Sequence, residues 1–283
     1  MIYGLLAALG WGSADLVAAI SGRRIGALLT VAVAQVAGLV ALVAVVAVGG
    51  EAFHASAGQA AILVVNGAVA SGAYIALYRG LELGPVALVS PIVGAYAVVT
   101  IILAVVFAGD TLAGFALAGT ALTLVGAALA ASDLRSLRRG GLRLAGGIPW
   151  AIASMLLFGV ATFVTGRLAQ DMGWASASLV SRIGNTSVVL LVVLLLRGRV
   201  PSPRRRSDVA IAVPVGLADI FGLIAYTAGT QRGEIAVVTA ASAAFLLIPV
   251  FGGLAIFRER PAPNQLAGVV LVFVGLVALG LGH

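Results

Sequence analysis

Ten apolar runs, each long enough to cross a hydrocarbon core of about 30 Å, follow one another from end to end of the chain. They lie at 2–20, 26–48, 59–81, 85–108, 112–132, 147–168, 174–196, 208–230, 235–257 and 264–281. Each is about twice the length of a barrel strand and lacks alternating polarity, so helices are the only spanning element that satisfies the backbone in lipid. With 61% hydrophobic and 10% charged residues against about 25% charged in soluble domains, the chain reads as an all-α, ten-helix membrane protein. The connectors are short and leave no soluble domain for a separate activity. The first run lacks a basic leader and contains Asp15, which predicts a retained helix rather than a cleaved signal.

The cationic residues are seventeen arginines and no lysine. Connectors after odd-numbered runs hold fourteen of them: Arg23, Arg24, Arg79, Arg135, Arg138, Arg139, Arg143, Arg197, Arg199, Arg204, Arg205, Arg206, Arg258 and Arg260. Connectors on the other side hold Arg167 and Arg232. Because arginine-rich short loops stay in the cytoplasm, this bias predicts cytoplasmic odd connectors and both termini outside. The run 197–206 reads as a topology anchor against anionic headgroups. Arginines spread over connectors form no nucleic-acid face, so no nucleic-acid partner is expected. With no cysteine, and with histidines only at His54 and His283, neither a metal nor another cofactor is expected.

The chain also repeats itself. A shift of 149 residues aligns Gly80 with Gly229, Gly84 with Gly233, Ala87 with Ala236, Val89 with Val238, Ser90 with Thr239, Asp110 with Glu259, Gly119 with Gly268 and Gly126 with Gly275. A shift of 147 pairs Trp11-Gly12 with Phe158-Gly159, and Gln35 through Gly38 with Arg182 through Asn185. The predicted organisation is two five-helix repeats, 1–132 and 145–283, joined by a basic linker at 133–144. Five is odd, so the two copies enter the membrane in opposite directions. Inverted repeats of this kind build secondary transporters, with the substrate site near the midplane between the halves.

Three motifs carry a resemblance: WGS at 11–13, the short GP connector at 84–85, and an acidic residue nine before a helix glycine (Asp110 to Gly119, Glu259 to Gly268). Together with the duplicated ten-run pattern they are similar to EamA-type proteins of the drug/metabolite transporter superfamily. That resemblance implies two inverted five-helix repeats around a central cavity, and export or exchange of small metabolites without ATP across the cytoplasmic membrane. Members of that family usually keep both termini in the cytoplasm, the reverse of what the arginines predict.

A charged group at a helix centre costs about 2.5–3.5 kcal/mol on insertion scales and usually faces a cavity or a partner. Asp15, Arg182 and Asp219 are such groups, and a rise of about 1.5 Å per residue spreads them over roughly 10 Å of depth. Arg182 and Asp219, on consecutive runs, are expected to pair, because a buried unpaired charge is strongly unfavourable. Asp15 then has no evident cation. Since burial penalises its charged form, it is a candidate to carry a proton across or to bind the cationic group of a substrate. Trp11 lies one turn away on the same face and would meet the same cation. Arg182 could instead receive a substrate carboxylate, which together with an acidic residue favours an amino-acid-like solute.

Gln35, Asn66, Tyr74, Asn185, Ser90 and Tyr96 complete the candidate binding residues, with Thr162 and Ser154 as further polar company. Pro91, Pro214 and Pro249 are expected to permit kinks. Arg79 and Glu82 are expected to form a local pair, and Gly119, Gly126, Gly268 and Gly275 a small-residue packing stripe. The function predicted is secondary transport of a small amphipathic solute. A cationic-drug exporter and a lipid or lipid-linked-sugar flippase remain alternatives. A membrane-embedded enzyme is disfavoured, since no nucleophile with its base is found at membrane depth. The doubled architecture fits a monomer or a homodimer.

Overall fold

A computed structural model describes residues 1–110, 114–131, 146–196 and 209–281. The basic linker at 133–144, the 197–206 run, His283 and the junction between the repeats lie outside the described residues. The helices are α1 (Ile2–Ile25), α2 (Ala27–Gly49), α3 (Ala57–Leu83), α4 (Val86–Gly94), α5 (Tyr96–Leu103), α6 (Gly114–Ala131), α7 (Ile148–Met172), α8 (Trp174–Leu195), α9 (Ala212–Arg232), α10 (Ile235–Ser242), α11 (Leu247–Ala255) and α12 (Pro263–Leu281). No strand occurs among the described residues. The fourth span is α4 and α5 in series, ending in a π-helical turn at Ala104–Ala108, and the ninth is α10 and α11 joined by a 3-10 turn at Ala243–Leu246.

Eight spans run for 21 to 27 residues, enough to cross a bilayer. The fifth and tenth, α6 and α12, carry shorter apolar stretches, Ala118–Ala130 and Pro263–Ala278. Helix ends extend past the apolar runs because hydropathy marks only the lipid-facing part: α1 continues to Ile25 rather than residue 20, and α7 to Met172 rather than 168. Local chemistry sets these ends. Ser56 begins α3 with a reciprocal capping box, its Oγ accepting from Gln59 N at 3.2 Å while Gln59 Oε1 accepts from Ser56 N at 3.0 Å.

Gly26 and Gly173 join the first two helices of each repeat, and they share a conformation open to glycine, φ 83° and 84° with ψ 153° and 156°. They are 147 residues apart, so the repeat survives in the backbone. It also survives in packing. The most extensive partner of α1 is α9, that of α7 is α3, and α6 pairs with α12. A Cβ on Gly12 would lie 2.9 Å from Ile248 Cδ1, and one on Gly159 would overlap Val99, so equivalent glycines admit equivalent β-branched residues of the ninth and fourth spans. The outer faces expose Leu9, Val40, Val65, Phe107, Leu195 and Val270, as a lipid-facing surface requires.

Each of the three prolines lies beside an interruption of its helix. Pro91 precedes the break at Ala95, whose N–H reaches both Pro91 O and Ile92 O. Pro249 lies inside α11, one turn after the 3-10 segment. Pro214 takes the same third position in α9, just after a turn at Ile211 that separates this helix from helical residues 209–210. Arg79 and Glu82 pair at 2.8 Å with side chains 43% and 23% exposed. Arg79→Ala is therefore expected to change stability by about 1 kcal/mol or less, measurable as a small shift in thermal unfolding; a larger loss would mean that the pair fixes the end of α3.

Candidate functional site

Close crossings bring the polar residues together. A Cβ on Gly10 would lie 2.6 Å from Gly222 N, and one on Gly222 would meet Trp11 Cδ1 at 2.6 Å, so α1 and α9 touch backbone to backbone beside Trp11. A narrow cavity of about 80 Å³ opens in the interior, walled by α1, α3, α7, α8, α9 and the fourth and ninth spans. Of the residues expected from the sequence, Asp15, Trp11, Arg182, Asp219, Tyr74, Asn185 and Tyr96 line it, as does Thr162.

Arg182 and Asp219 form a buried ion pair, Nη1 to Oδ2 at 2.6 Å, with side chains only 1% and 5% exposed. Tyr74 OH donates to the other carboxylate oxygen, Oδ1, at 2.7 Å. Both oxygens of Asp219 thus accept charge-assisted or phenolic hydrogen bonds. Nη2 of Arg182 points away from the open space: a Cβ on Gly38 would land on it, so the absence of a side chain there makes room for the guanidinium. Asp15 has no such satisfaction. It is 5% exposed, and its Oδ2 is buried without a hydrogen-bond partner.

Aromatic rings supply most of the remaining wall. Trp11 lies 5.5 Å from Tyr226, Tyr74 meets Phe158 edge-on at 4.9 Å, and Tyr96 stands 6.1 Å from Phe245, all between ring centroids. Tyr96 OH is 3.0 Å from Ser242 Oγ, and Tyr226 OH donates to Thr162 O at 3.2 Å, so the polar tips are held and the ring bodies face the space. Such rings suit a flat apolar body or a cation. Among the described residues no cluster of three metal-ligating side chains occurs.

Three expected residues sit elsewhere. Asn66 is buried at the α3–α7 contact, where Nδ2 donates to Ala161 O at 3.1 Å and to Thr165 Oγ1 at 3.0 Å. Gln35 and Ser90 are 2% and 0% exposed and take no part in the cavity wall. Ser154 bonds Ala73 O and likewise serves packing. Tyr226, Phe245, Phe158 and Ser181 line the cavity without having been expected to. Two of them were within reach of the repeat, since Phe158 is the counterpart of Trp11 and Phe245 that of Tyr96.

Two opposed five-helix bundles with a polar, ring-walled chamber between them define a membrane-transporter architecture. The EamA-like transporter family matches residues 1–132 and again 145–281, and the chain belongs to that family. It is accordingly a multi-pass membrane protein of a family that carries small solutes. A solved structure titled "Crystal structure of protein" shares the fold, with a TM-score of 0.68 and 18% identity over 99% of this chain and 96% of that one. No curated protein sequence matches the chain.

Proposed function

We propose that the protein is a secondary transporter of the cytoplasmic membrane that exports or exchanges a small amphipathic solute by alternating access, with Asp15 receiving the solute's amine. The observation that carries this reading is the buried, unpartnered Oδ2 of Asp15 on the wall of an aromatic chamber. Arg182 and Asp219 cancel one another, so an ionised Asp15 leaves the chamber with one surplus negative charge. A monovalent amine with an apolar or aromatic body meets that charge and the rings together. An amino-acid-like zwitterion fits as well if its carboxylate draws Arg182 away from Asp219, which costs more. When no solute is bound, Asp15 can take a proton instead, which would couple the two fluxes.

The test is binding and uptake by purified protein in proteoliposomes. Thermal shift against amines, amino acids, nucleobases and lipid headgroups finds the solute class. Asp15→Asn removes a charge-assisted contact of about 1.5–3 kcal/mol, so affinity for an amine should fall about 10- to 150-fold, and pH-gradient-driven uptake should vanish. Tight binding of amines that is indifferent to Asp15→Asn would place the cation elsewhere and remove the proposal.

A further inference from the structure

Asp110 and Glu259 occupy equivalent positions in the two repeats, each following a broken span, and each reaches across to the other repeat. Glu259, at the end of the ninth span, accepts from Val86 N through Oε1 and from Ala87 N through Oε2, both at 2.8 Å. These are the first N–H groups of α4. Asp110, at the end of the fourth span, accepts from Ala236 N through Oδ2 at 3.1 Å, in the first turn of α10. Neither α4 nor α10 has a side-chain cap from its own N-cap residue. A helix N-terminus presents unpaired N–H groups and a partial positive charge, so in each case a carboxylate from the opposite repeat supplies the acceptor.

The two broken spans therefore hold one another at both ends of the molecule. At the arginine-rich end the ninth span grips the start of the fourth; at the other end the fourth grips the start of the ninth. Midway, Tyr96 OH and Ser242 Oγ bridge the same two spans at 3.0 Å. Both spans border the chamber through Val93, Tyr96 and Phe245, and both are interrupted near the middle, at Ala95 and at 243–246.

The grips are unequal. At the Glu259 end, Arg23 Nη2 lies 3.3 Å from Glu259 Oε1, donates to Gly84 O at 3.2 Å, and stacks its guanidinium over Phe257 at 4.0 Å. Its counterpart at the other end is Gln170, whose Nε2 donates to Gly233 O at 3.3 Å. Gly233 is the repeat equivalent of Gly84. The same device is thus built twice, with a charged arginine and a glutamate that takes two N–H groups at one end, and with a neutral glutamine and an aspartate that takes one among the described residues at the other.

We propose that Glu259 and Asp110 are the two end-locks of the transport cycle, both engaged in this structure, and that each open state of the cycle releases one of them. The proposal rests on alternating access but not on the identity of the solute. In the state open at the arginine-rich end the fourth span swings at its break, Glu259 releases Val86 and Ala87, and Asp110 keeps its hold on the start of α10. Because the glutamate holds two N–H groups where, among the described residues, the aspartate holds one, the length of the side chain biases which end rests closed. Both residues are positioning residues and neither lines the chamber.

The natural absence of cysteine allows a test that needs no solute. One cysteine is placed in the chamber toward the arginine-rich end, Leu77→Cys, or toward the other end, Ser181→Cys, and its rate of reaction with N-ethylmaleimide is measured on purified protein in detergent. Glu259→Gln should speed labelling at position 77 about tenfold and slow it at position 181, from the loss of a charge-assisted grip. Asp110→Glu, which adds reach rather than removing a bond, should move both rates in those same directions, and Asp110→Asn in the reverse ones. Rates that rise at both positions in Glu259→Gln, or that do not respond to Asp110→Glu, would overturn the proposal, the first by showing general loosening. Opposed changes in labelling in a protein that fails to bind amines would uphold the locks and reject the solute reading.

Discussion

Asp219→Ala is expected to cost about 3–5 kcal/mol of stability, because it strands the Arg182 guanidinium in the interior. Hydrogen bonds between membrane helices contribute only about 0.6 kcal/mol on average, so the lost bonds to Arg182 and Tyr74 would account for a small part of this. The rest comes from the charge. Arg182 is 2% exposed, its Nε and Nη2 already lack partners, and Nη1 would join them when the carboxylate goes. Asp219→Asn keeps an oxygen for one bond but removes the countercharge, so it should fall between. The decisive variant is double: Arg182→Met with Asp219→Leu removes both charges at similar volume and should recover most of the loss. Resistance to thermal or denaturant unfolding measures all three. A single Asp219→Ala variant as stable as the parent would mean that water or lipid headgroups reach Arg182, and that the chamber is wetter than its burial implies.

That ion pair was legible in the sequence because so few alternatives existed. Two opposite charges near the same depth on consecutive helices leave no cheaper arrangement, and energetics alone predicts their contact. The ten spans and the inverted repeat were legible for the same kind of reason, since hydrocarbon thickness and an odd helix count admit few answers. The wall of the chamber was harder to read. Polarity at membrane depth shows that a side chain must find a partner, but it does not show whether that partner is the cavity or a neighbouring helix. Asn66 found Ala161 O and Thr165. Asp15 has an oxygen that found no protein partner, and that difference exists only in the packed structure.

Apolar wall residues gave weaker signals still. Phe158 and Phe245 differ in nothing local from lipid-facing phenylalanines such as Phe107, which is 70% exposed. Their repeat partners Trp11 and Tyr96 were the available clue. Asp110 and Glu259 were visible as a matched pair, yet what they grip is a helix start in the other repeat, and no spacing within one repeat encodes it. The doubled glycines at 26 and 173 were silent for another reason: a positive φ is a backbone property that glycine permits but does not announce.

Gly126→Ala is expected to destabilise the protein by about 1–3 kcal/mol, the usual range for forcing a methyl into a packed contact, while leaving solute affinity unchanged. At the α6–α12 crossing a new Cβ on Gly126 would lie 2.5 Å from Val272 N and 2.7 Å from Gly268 O, whereas ordinary contact begins at 3.4 Å. The obstacle is backbone, so no rotamer relieves it and the helices must part. The repeat places Gly275 in the matching position, where a Cβ would meet Thr123 N at 2.6 Å and Gly119 O at 2.7 Å. Gly275→Ala should therefore cost a similar amount, and the two together should add to less than their sum, because helices already separated by one methyl accommodate the second. Among the described residues neither α6 nor α12 contributes a side chain to the chamber. A fall in amine affinity in step with stability would show that this outer pair transmits strain to the fourth and ninth spans it packs against, and would make α6 and α12 part of the moving machinery. Loss of stability with affinity intact separates the two jobs: glycine-faced outer helices brace the bundle, and the charged and aromatic faces of the inner helices bind.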